Sequence, residues 1–490
     1  MSDKIKFMSD KIKFMRDKDI DIVNNNVDAI IEKARNREIQ IMEPTLSEFK
    51  KVRSVVLDFI KKEQRIIYGG FAWNTLVKKI TPSDAFYSEN TFTDVEFYSN
   101  KPIEDLKKLC DILDDKGFKF IQGKSAQHEE TYTIFVNFQG YCDITYMPSN
   151  LFYSIMTEKI DGLRLIHPKY IMIDILRQFN DPLTSYWRLD KNIKRGKVMI
   201  KNYPLELSTK TVKMSLLKPD TLKLVNYLIP HLVKSKYILF IGQIAFNTFA
   251  NPNSNLSKQS SEYDSTPIEL ISTNLTKDVE STYNILLKYF LEEIKQPTSF
   301  NDKILLEQYY PFFQFTDKKA VFKYQGEIFL TIYGNNEKCI PYHDIKLKHN
   351  NNSLPIKIGT FNFNFMINLI KFHHAYAEKN KSIQQLQDFI MYKLLTFRNN
   401  FLETNNKTVL DQTIFEDFKV ECLGDTISPA RKFLLSRKDR RLIQRSEIHP
   451  YDPSDIDKRE KFITDDKSFK NTSGNIINNP KDLIFNPKKN

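Results

Sequence analysis

The chain has only four cysteines in 490 residues, far apart at positions 110, 142, 339 and 422. No Cys-x-x-Cys pair or Cys/His cluster is present, which excludes a zinc finger or ribbon. Scattered cysteines also point to free thiols and a reducing compartment. The adjacent pair His373-His374 reads as packed or solvent-facing, not as a metal site. No apolar run approaches the roughly 20 residues of a membrane span, so no membrane contact is expected. The N-terminus lacks the apolar stretch of a secretory leader.

What the chain does contain is apolar mass and positive charge. Its hydrophobic fraction is 41%, with 37 Phe and 23 Tyr, enough to fill real cores. The length suggests two to four domains. The net charge of +12 and the pI of about 9.1 favour a polyanionic partner. Residues 1–7 and 8–14 are identical tandem copies, Met-Ser-Asp-Lys-Ile-Lys-Phe. Two copies are too few for a coiled coil, so a slip in the coding sequence and a mobile arm are expected.

The most telling stretch is Ile66-Ile67-Tyr68-Gly69-Gly70-Phe71-Ala72-Trp73-Asn74, followed by Asp94-Val95-Glu96-Phe97-Tyr98. A third carboxylate, Asp143, stands in the apolar run Tyr141-Cys142-Asp143-Ile144. Residues i and i+2 of a strand share a face, so Asp94 and Glu96 project together. Asp143 on a neighbouring strand completes a three-carboxylate cluster. Like charges raise each other's pKa, so such a cluster makes sense around divalent cations, and hard oxygen ligands suit magnesium. Two ions can clamp the attacking and leaving oxygens of an in-line displacement. Gly69 and Gly70, without Cβ atoms, let backbone approach phosphates at a helix N-terminus. A lone Asp-x-Glu is more often a solvated edge, and a lone Gly-Gly is more often a turn. Their order and the third acid favour a metal-triphosphate site.

Residues 19–62 read as mostly helical, with Ile20, Ile22, Val23, Val27, Ile30 and Ile31 on one apolar face. A helix start is expected at Pro44-Thr45-Leu46-Ser47-Glu48, with Phe49, Val52, Val55, Val56, Phe59 and Ile60 facing the core. The core then reads strand 65–68, helix 71–79, strand 94–99 and helix 102–116, ended by Gly117. Strands at 118–122, 131–138 and 141–147 and a helix from His167-Pro168 to Phe179 follow. Arg177, Arg188, Lys191, Lys194 and Arg195 form a basic set that suits a triphosphate or RNA backbone, or simply a solvated helix end.

Phe240-Ile241-Gly242-Gln243-Ile244-Ala245-Phe246-Asn247 echoes Ile67–Asn74, at an offset of 242 − 69 = 173 residues. The same offset sets Pro267-Ile268-Glu269-Leu270-Ile271-Ser272 on Asp94–Ser99. This is an internal duplication. Its second copy has lost Gly70 to Gln243 and Asp94 to Pro267, and one remaining acid, Glu269, cannot hold two metals. Lys338–Tyr342 offers a possible echo of the Asp143 segment. Residues 251–261, rich in Asn and Ser, read as a disordered loop. Residues 431–445 carry seven basic side chains and one acid, suiting an RNA stripe or a charged surface helix. From Ser446 onward the composition reads as a tail.

Gly69-Gly70-Phe71-Ala72-Trp73-Asn74, Asp94-Val95-Glu96, Asp143, Asp174-Ile175-Leu176-Arg177 and Tyr186–Lys191 together resemble the nucleotidyltransferase superfamily. Within it, the chain resembles the poly(A) polymerase catalytic subunits of poxviruses and other large cytoplasmic DNA viruses. The resemblance implies an α+β protein with two tandem nucleotidyltransferase-like domains, each a mixed sheet flanked by helices, the second degenerate. The motifs, the repeat and the composition set expected boundaries at 1–44 (arm and helix), 45–198 (catalytic), 199–430 (degenerate) and 431–490 (basic tail). The resemblance also implies template-independent addition of AMP from ATP to mRNA 3′ ends with two Mg2+ or Mn2+ ions. Asp94 and Glu96 would bind both ions, and Asp143 would help activate the 3′-hydroxyl. Gly69 and Gly70 would line the triphosphate, with Asn74, Arg177 and Lys191 as further nucleotide-holding candidates. A homodimer or a viral processivity subunit is the implied protein partner, and the virus factory of the host cytoplasm, or the virion, the location. Glu96 departs from the family's usual second Asp. The readings left open are a uridylyl, CCA-adding or oligoadenylate transferase and a non-catalytic RNA-binding scaffold.

Overall fold

In the computed structural model of the chain, residues 16–41, 45–88, 91–126, 130–181, 183, 185–212, 215–295, 300–309, 318–335, 339–424 and 475–476 are described. The tandem heptapeptides, Pro44, the basic run 431–445 and nearly all of the tail lie outside them. The first half runs α1 (Asp17–Ile41), α2 (Leu46–Lys62), β1 (Ile66–Tyr68), α3 (Gly69–Ile80), β2 (Val95–Ser99), α4 (Pro102–Asp115), β3 (Gln122–Ser125), β4 (Thr131–Val136), β5 (Gln139–Tyr146), α5 (Ser149–Ser154), β6 (Thr157–Ile160), β7 (Leu163–Ile166), α6 (Pro168–Phe179) and α7 (Leu189–Asn202). The second half runs α8 (Pro219–Leu232), β8 (Ile238–Ile241), α9 (Gly242–Ala250), β9 (Ser260–Glu262), β10 (Ile268–Ser272), α10 (Leu275–Glu292), α11 (Phe300–Lys303), β11 (Ile304–Tyr309), β12 (Lys319–Tyr324), β13 (Glu327–Gly334), β14 (Ile340–His349), β15 (Asn352–Gly359), α12 (Phe361–Ala377), α13 (Lys381–Thr404), β16 (Cys422–Leu423) and β17 (Asn475–Ile476).

Helix α2 starts where its sequence says it should. The Thr45 side chain accepts from the Glu48 N–H at 3.2 Å, satisfying a donor the first turn leaves free. Its six expected core residues, Phe49 to Ile60, are all buried. Helix α1 is a different matter. Ile20, Ile22, Val23, Val27, Ile30 and Ile31 remain 38–58% exposed, so the apolar face read from the sequence is not packed into this chain.

The two halves repeat one topology. The first sheet has the order β3-β4-β5-β2-β1-β7-β6, and the second contains β11-β12-β13-β10-β8-β15-β14, with β16 and β17 added at its ends. In each, the central strand is antiparallel to the one that opens the glycine turn and parallel to the next, setting Glu96 beside Asp143 and Glu269 beside Thr331. The counterpart of the Asp143 strand is therefore β13. Of the echo expected at Lys338–Tyr342, the described residues 339–342 lie at the start of the far strand β14. The segment 251–261 is also ordered. Buried Gln259 donates to the carbonyls of Thr248 and Asn251, replacing water as their partner. The strand expected at 118–122 forms later, at Gln122–Ser125.

Cys339 and Cys422 form a disulfide, with Cα atoms 5.2 Å apart. This corrects the reading of four free thiols. The antiparallel pairing of β14 with β16 brings together residues 83 apart in sequence, which spacing alone does not reveal. Cys110 and Cys142 are free.

The halves meet through α6 and α12. Tyr170 packs edge-on against His373 at 5.3 Å, and Lys169 pairs with Asp388 at 3.3 Å. His373 is 1% exposed, and burial drives its pKa down to about 3, with the charge of His167 adding to this. The unfolded chain then binds the proton more readily than the folded one. Stability from this group is present above the usual value near 6.5 and drains away as pH falls towards 3, at up to about 1.4 kcal/mol per pH unit. Urea melts between pH 7 and pH 5 are expected to show this loss, and His373→Phe to flatten it.

Candidate active site

Strand β1 is extended up to Tyr68, and the chain then turns into α3 through Gly69 at φ +67°. Only glycine enters this left-handed conformation without strain. A Cβ at Gly69 would also overlap the Glu96 carboxylate. The turn aims the Gly70 N–H at Glu96 Oε2, 2.8 Å away. Asp94 is exposed just before β2, Val95 and Phe97 are buried behind it, and Glu96 lies beside Asp143 across the parallel pairing. The i, i+2 expectation thus holds for the backbone.

The electrostatics are those of crowded carboxyl groups, two of them partly or wholly buried. Burial pushes the Glu96 carboxyl up to about 8, and Asp94 and then Asp143 add to the rise while the Gly70 N–H opposes it. Burial also raises Asp143. The Thr133 hydroxyl, 2.5 Å from its Oδ1, pulls the other way, and the Asp94 charge raises it further. Among the described residues, no three acidic, histidine or cysteine side chains converge as a set that could hold a metal ion; Asp94 and Asp143 share a cavity, and Glu96 does not line it. All the donors are hard oxygens that repel one another, a set that suits a divalent cation. A cavity of about 310 Å³ opens over Asp94 and Asp143, lined also by Phe49, Phe92, Thr93, Thr133, Gln139 and Gly140.

The other candidates sit at different places. Asn74 spends its side-chain oxygen on the N–H groups of Phe86 and Tyr87, both at 2.9 Å, and so holds the 85–88 loop. Lys191 feels both carboxylates. Burial, Arg195 and Arg188 lower its pKa, and Glu96 and Asp94 act against them. Arg177 donates to Asp174 at 2.9 Å and lines a small cavity where the two halves meet, with Asn180, Ile271 and Gly334. Tyr87 escaped the sequence reading, and Arg195 entered it only within the basic set. Arg195 donates to the Tyr87 hydroxyl at 2.5 Å, and both crowd the space beside Gly70. A basic residue four positions after Lys191, on the same helix face, was the available signal.

In the second half the same frame is silent. Ile241 leads into Gly242 at φ +64°, next to Glu269. Here Glu269 accepts from Lys371 at 2.5 Å and from Tyr333 at 3.4 Å. An ammonium group thus neutralises the one remaining acid.

The family model for the poly(A) polymerase catalytic subunit matches residues 54–185, and the model for the C-terminal part of the APMV subunit matches residues 210–487. A protein of Acanthamoeba polyphaga mimivirus, assigned as a poly(A) polymerase catalytic subunit, is 35% identical over 95% of this chain and 83% of its own length. The chain belongs to the poly(A) polymerase catalytic subunit family. The crystal structure of the Megavirus polyadenylate synthase is 34% identical, covers 97% of this chain and 94% of its own, and superposes with a TM-score of 0.79. An African swine fever virus protein of the same assignment is 30% identical over 34% of this chain and 36% of its own length. The chain is thus a viral transferase built from two tandem nucleotidyltransferase-like domains. No helix among the described residues is long and apolar enough to cross a membrane.

Proposed function

We propose that this poly(A) polymerase adds AMP from ATP to RNA 3′ ends at the first of its two repeated frames, by in-line displacement. The observation that carries this is a contrast within one chain. The first frame sets Asp94 and Asp143 on an open cavity with Glu96 buried beside them, and among the described residues none of the three has a salt bridge, whereas in the other frame Lys371 neutralises Glu269. Asp94, Glu96 and Asp143 would hold two Mg2+ or Mn2+ ions, which when bound supply Lewis acidity to the attacking and leaving oxygens. Asp143, beside the cavity and hydrogen-bonded to Thr133, is the group that orients the 3′-hydroxyl. Gly69 and Gly70 receive the triphosphate at the α3 N-terminus, with Lys191 and Arg195 as its cationic wall. Asn74 acts by fixing the Tyr87 loop. Arg177 acts through Asp174, whose charge reaches Glu96. The test is extension of an RNA primer with each NTP separately. A strong preference for UTP or CTP would defeat the assignment.

Arg195→Ala is expected to raise KM for ATP by roughly tenfold to a hundredfold, the value of a lost hydrogen bond to a charged group. Tyr87→Phe is expected to do so more weakly, because it removes only the group that steadies Arg195. Steady-state kinetics with varied ATP check both.

We further place the domain boundaries after residues 44, 198 and 430, which limited proteolysis tests. The exposed apolar face of α1 favours a homodimer, to be read by light scattering. A monomer would instead favour a separate processivity subunit. The viral relatives favour the virus factory of the host cytoplasm and the virion, and fractionation of infected cells tests this.

A further inference from the structure

Phe120 and Phe138 form a stacked pair on the surface, with ring centroids 5.1 Å apart and planes 26° from parallel. They are 62% and 68% exposed, so neither ring is held there by burial. The backbone is constrained to present them. Phe120 stands at φ +51°, Asn137 at +49° and Phe138 at +63°, and the Asn137 N–H donates to the Lys119 carbonyl at 3.1 Å, tying the two loops together. A bulky residue in the left-handed region is strained and persists where something selects it.

The silent repeat shows what this hairpin adopts without that selection. Asn137 and Phe138 turn β4 into β5, and Gln325 and Gly326 turn β12 into β13 with the same pair of positive φ angles. Glycine is the residue such a two-residue turn favours. The frame that keeps its carboxylates carries phenylalanine there, and the frame that lost them carries glycine.

The position agrees. Gln139 and Gly140, next to Phe138, line the cavity that contains Asp94 and Asp143. Phe138 stands five positions before Asp143, about 16 Å along the chain at roughly 3.3 Å per step. Lys119 adjoins Phe120, and Lys124 lies 4.0 Å over the Phe135 ring on the neighbouring strand, so cations interleave with the aromatic side chains. Aromatic faces beside positive charge are how proteins hold single-stranded nucleic acid without reading its sequence.

We infer that Phe120 and Phe138 form a stacking platform for bases of the single-stranded RNA upstream of its 3′ end. This rests on the RNA-extending reading of the site. At about 3.4 Å per stacked nucleotide, the strand reaches the pair within roughly five nucleotides of the reacting end.

The test uses the full chain with Phe120→Ala/Phe138→Ala and Phe138→Gly, measured against a labelled 15-mer oligo(A) by fluorescence anisotropy and in primer extension. The double variant is expected to raise Kd and primer KM for the 15-mer by about tenfold or more, as loss of base stacking does. It should leave KM for ATP and extension of a trinucleotide unchanged. Phe138→Gly is expected to melt no lower than wild type, since it relieves the turn, and still to bind the 15-mer more weakly. Phe138→Tyr should retain binding. Unchanged 15-mer affinity in a folded double variant overturns the platform. So does an equal loss with the trinucleotide, which would show a general effect on the site. A wild-type protein that binds the 15-mer through these rings but extends no primer would contradict the proposed activity and leave the platform standing.

Discussion

Asp94→Ala is expected to reduce primer extension by about a thousandfold, because several kcal/mol of charge stabilisation at the reacting oxygens depends on the cation that the carboxylates hold. Stability should move the other way. Asp94 is exposed, and its charge raises both Glu96 and Asp143. Removing it relieves a repulsion that the metal-free protein carries at neutral pH. The melting temperature without divalent ions should therefore stay level or rise. Added magnesium should raise the wild-type melting temperature, since a ligand that binds only the folded state stabilises it, and raise the variant's less. Extension assays and melts with and without magnesium check this. A variant that is both inactive and much less stable would recast Asp94 as a structural residue. Unchanged extension by Asp143→Ala would remove Asp143 from the ligand set.

Gly69→Ala and Gly242→Ala should separate folding from chemistry. Both glycines are left-handed, at φ +67° and +64°, and at both a Cβ would meet the glutamate of the next strand. Each substitution is expected to cost about 1–2 kcal/mol for the backbone alone. At Gly69 the new methyl group also displaces the Glu96 carboxylate from the Gly70 N–H and shifts the turn that receives phosphates. A misplacement of about 1 Å costs about a hundredfold in rate. At Gly242 the displaced group is Glu269, which Lys371 already neutralises. Gly242→Ala should thus lose stability and keep its kcat. Denaturant melts and extension kinetics on the pair decide. Equal loss of kcat in both would mean that the second frame contributes to catalysis.

Much of this could be read from residue spacing. The Gly69-Gly70 turn, the Asp94-x-Glu96 alternation and the burial of Phe49 to Ile60 follow from local periodicities of two and 3.6 residues. The duplication could be read because its glycine turn and its central strand kept one offset. The partner of the Asp143 strand could not, because the register beyond β10 depends on insertions that only strand pairing resolves. Helix α1 shows the opposite limit. Its apolar face is legible, but a pattern of side chains does not say whether this chain or another covers it. Tyr87 was invisible because Asn74, 13 residues earlier, is what holds its loop beside Gly70.

By itself the sequence determined the types of group available for the chemistry, three carboxylates and two adjacent glycines in an order that suits a metal-bound triphosphate. It also determined that the second copy lacks the counterpart of Asp94, while strand pairing was needed to show Thr331 where Asp143 would stand. Only the tertiary structure decided that Glu96 rests on the Gly70 N–H, that Arg195 and Tyr87 close the same corner, that Lys371 fills the silent frame and that Cys339 meets Cys422. The reason is physical. Which side chain faces which strand face is set by neighbours along the chain. Charge compensation, burial and pairing between distant residues are set by how the sheets and helices pack.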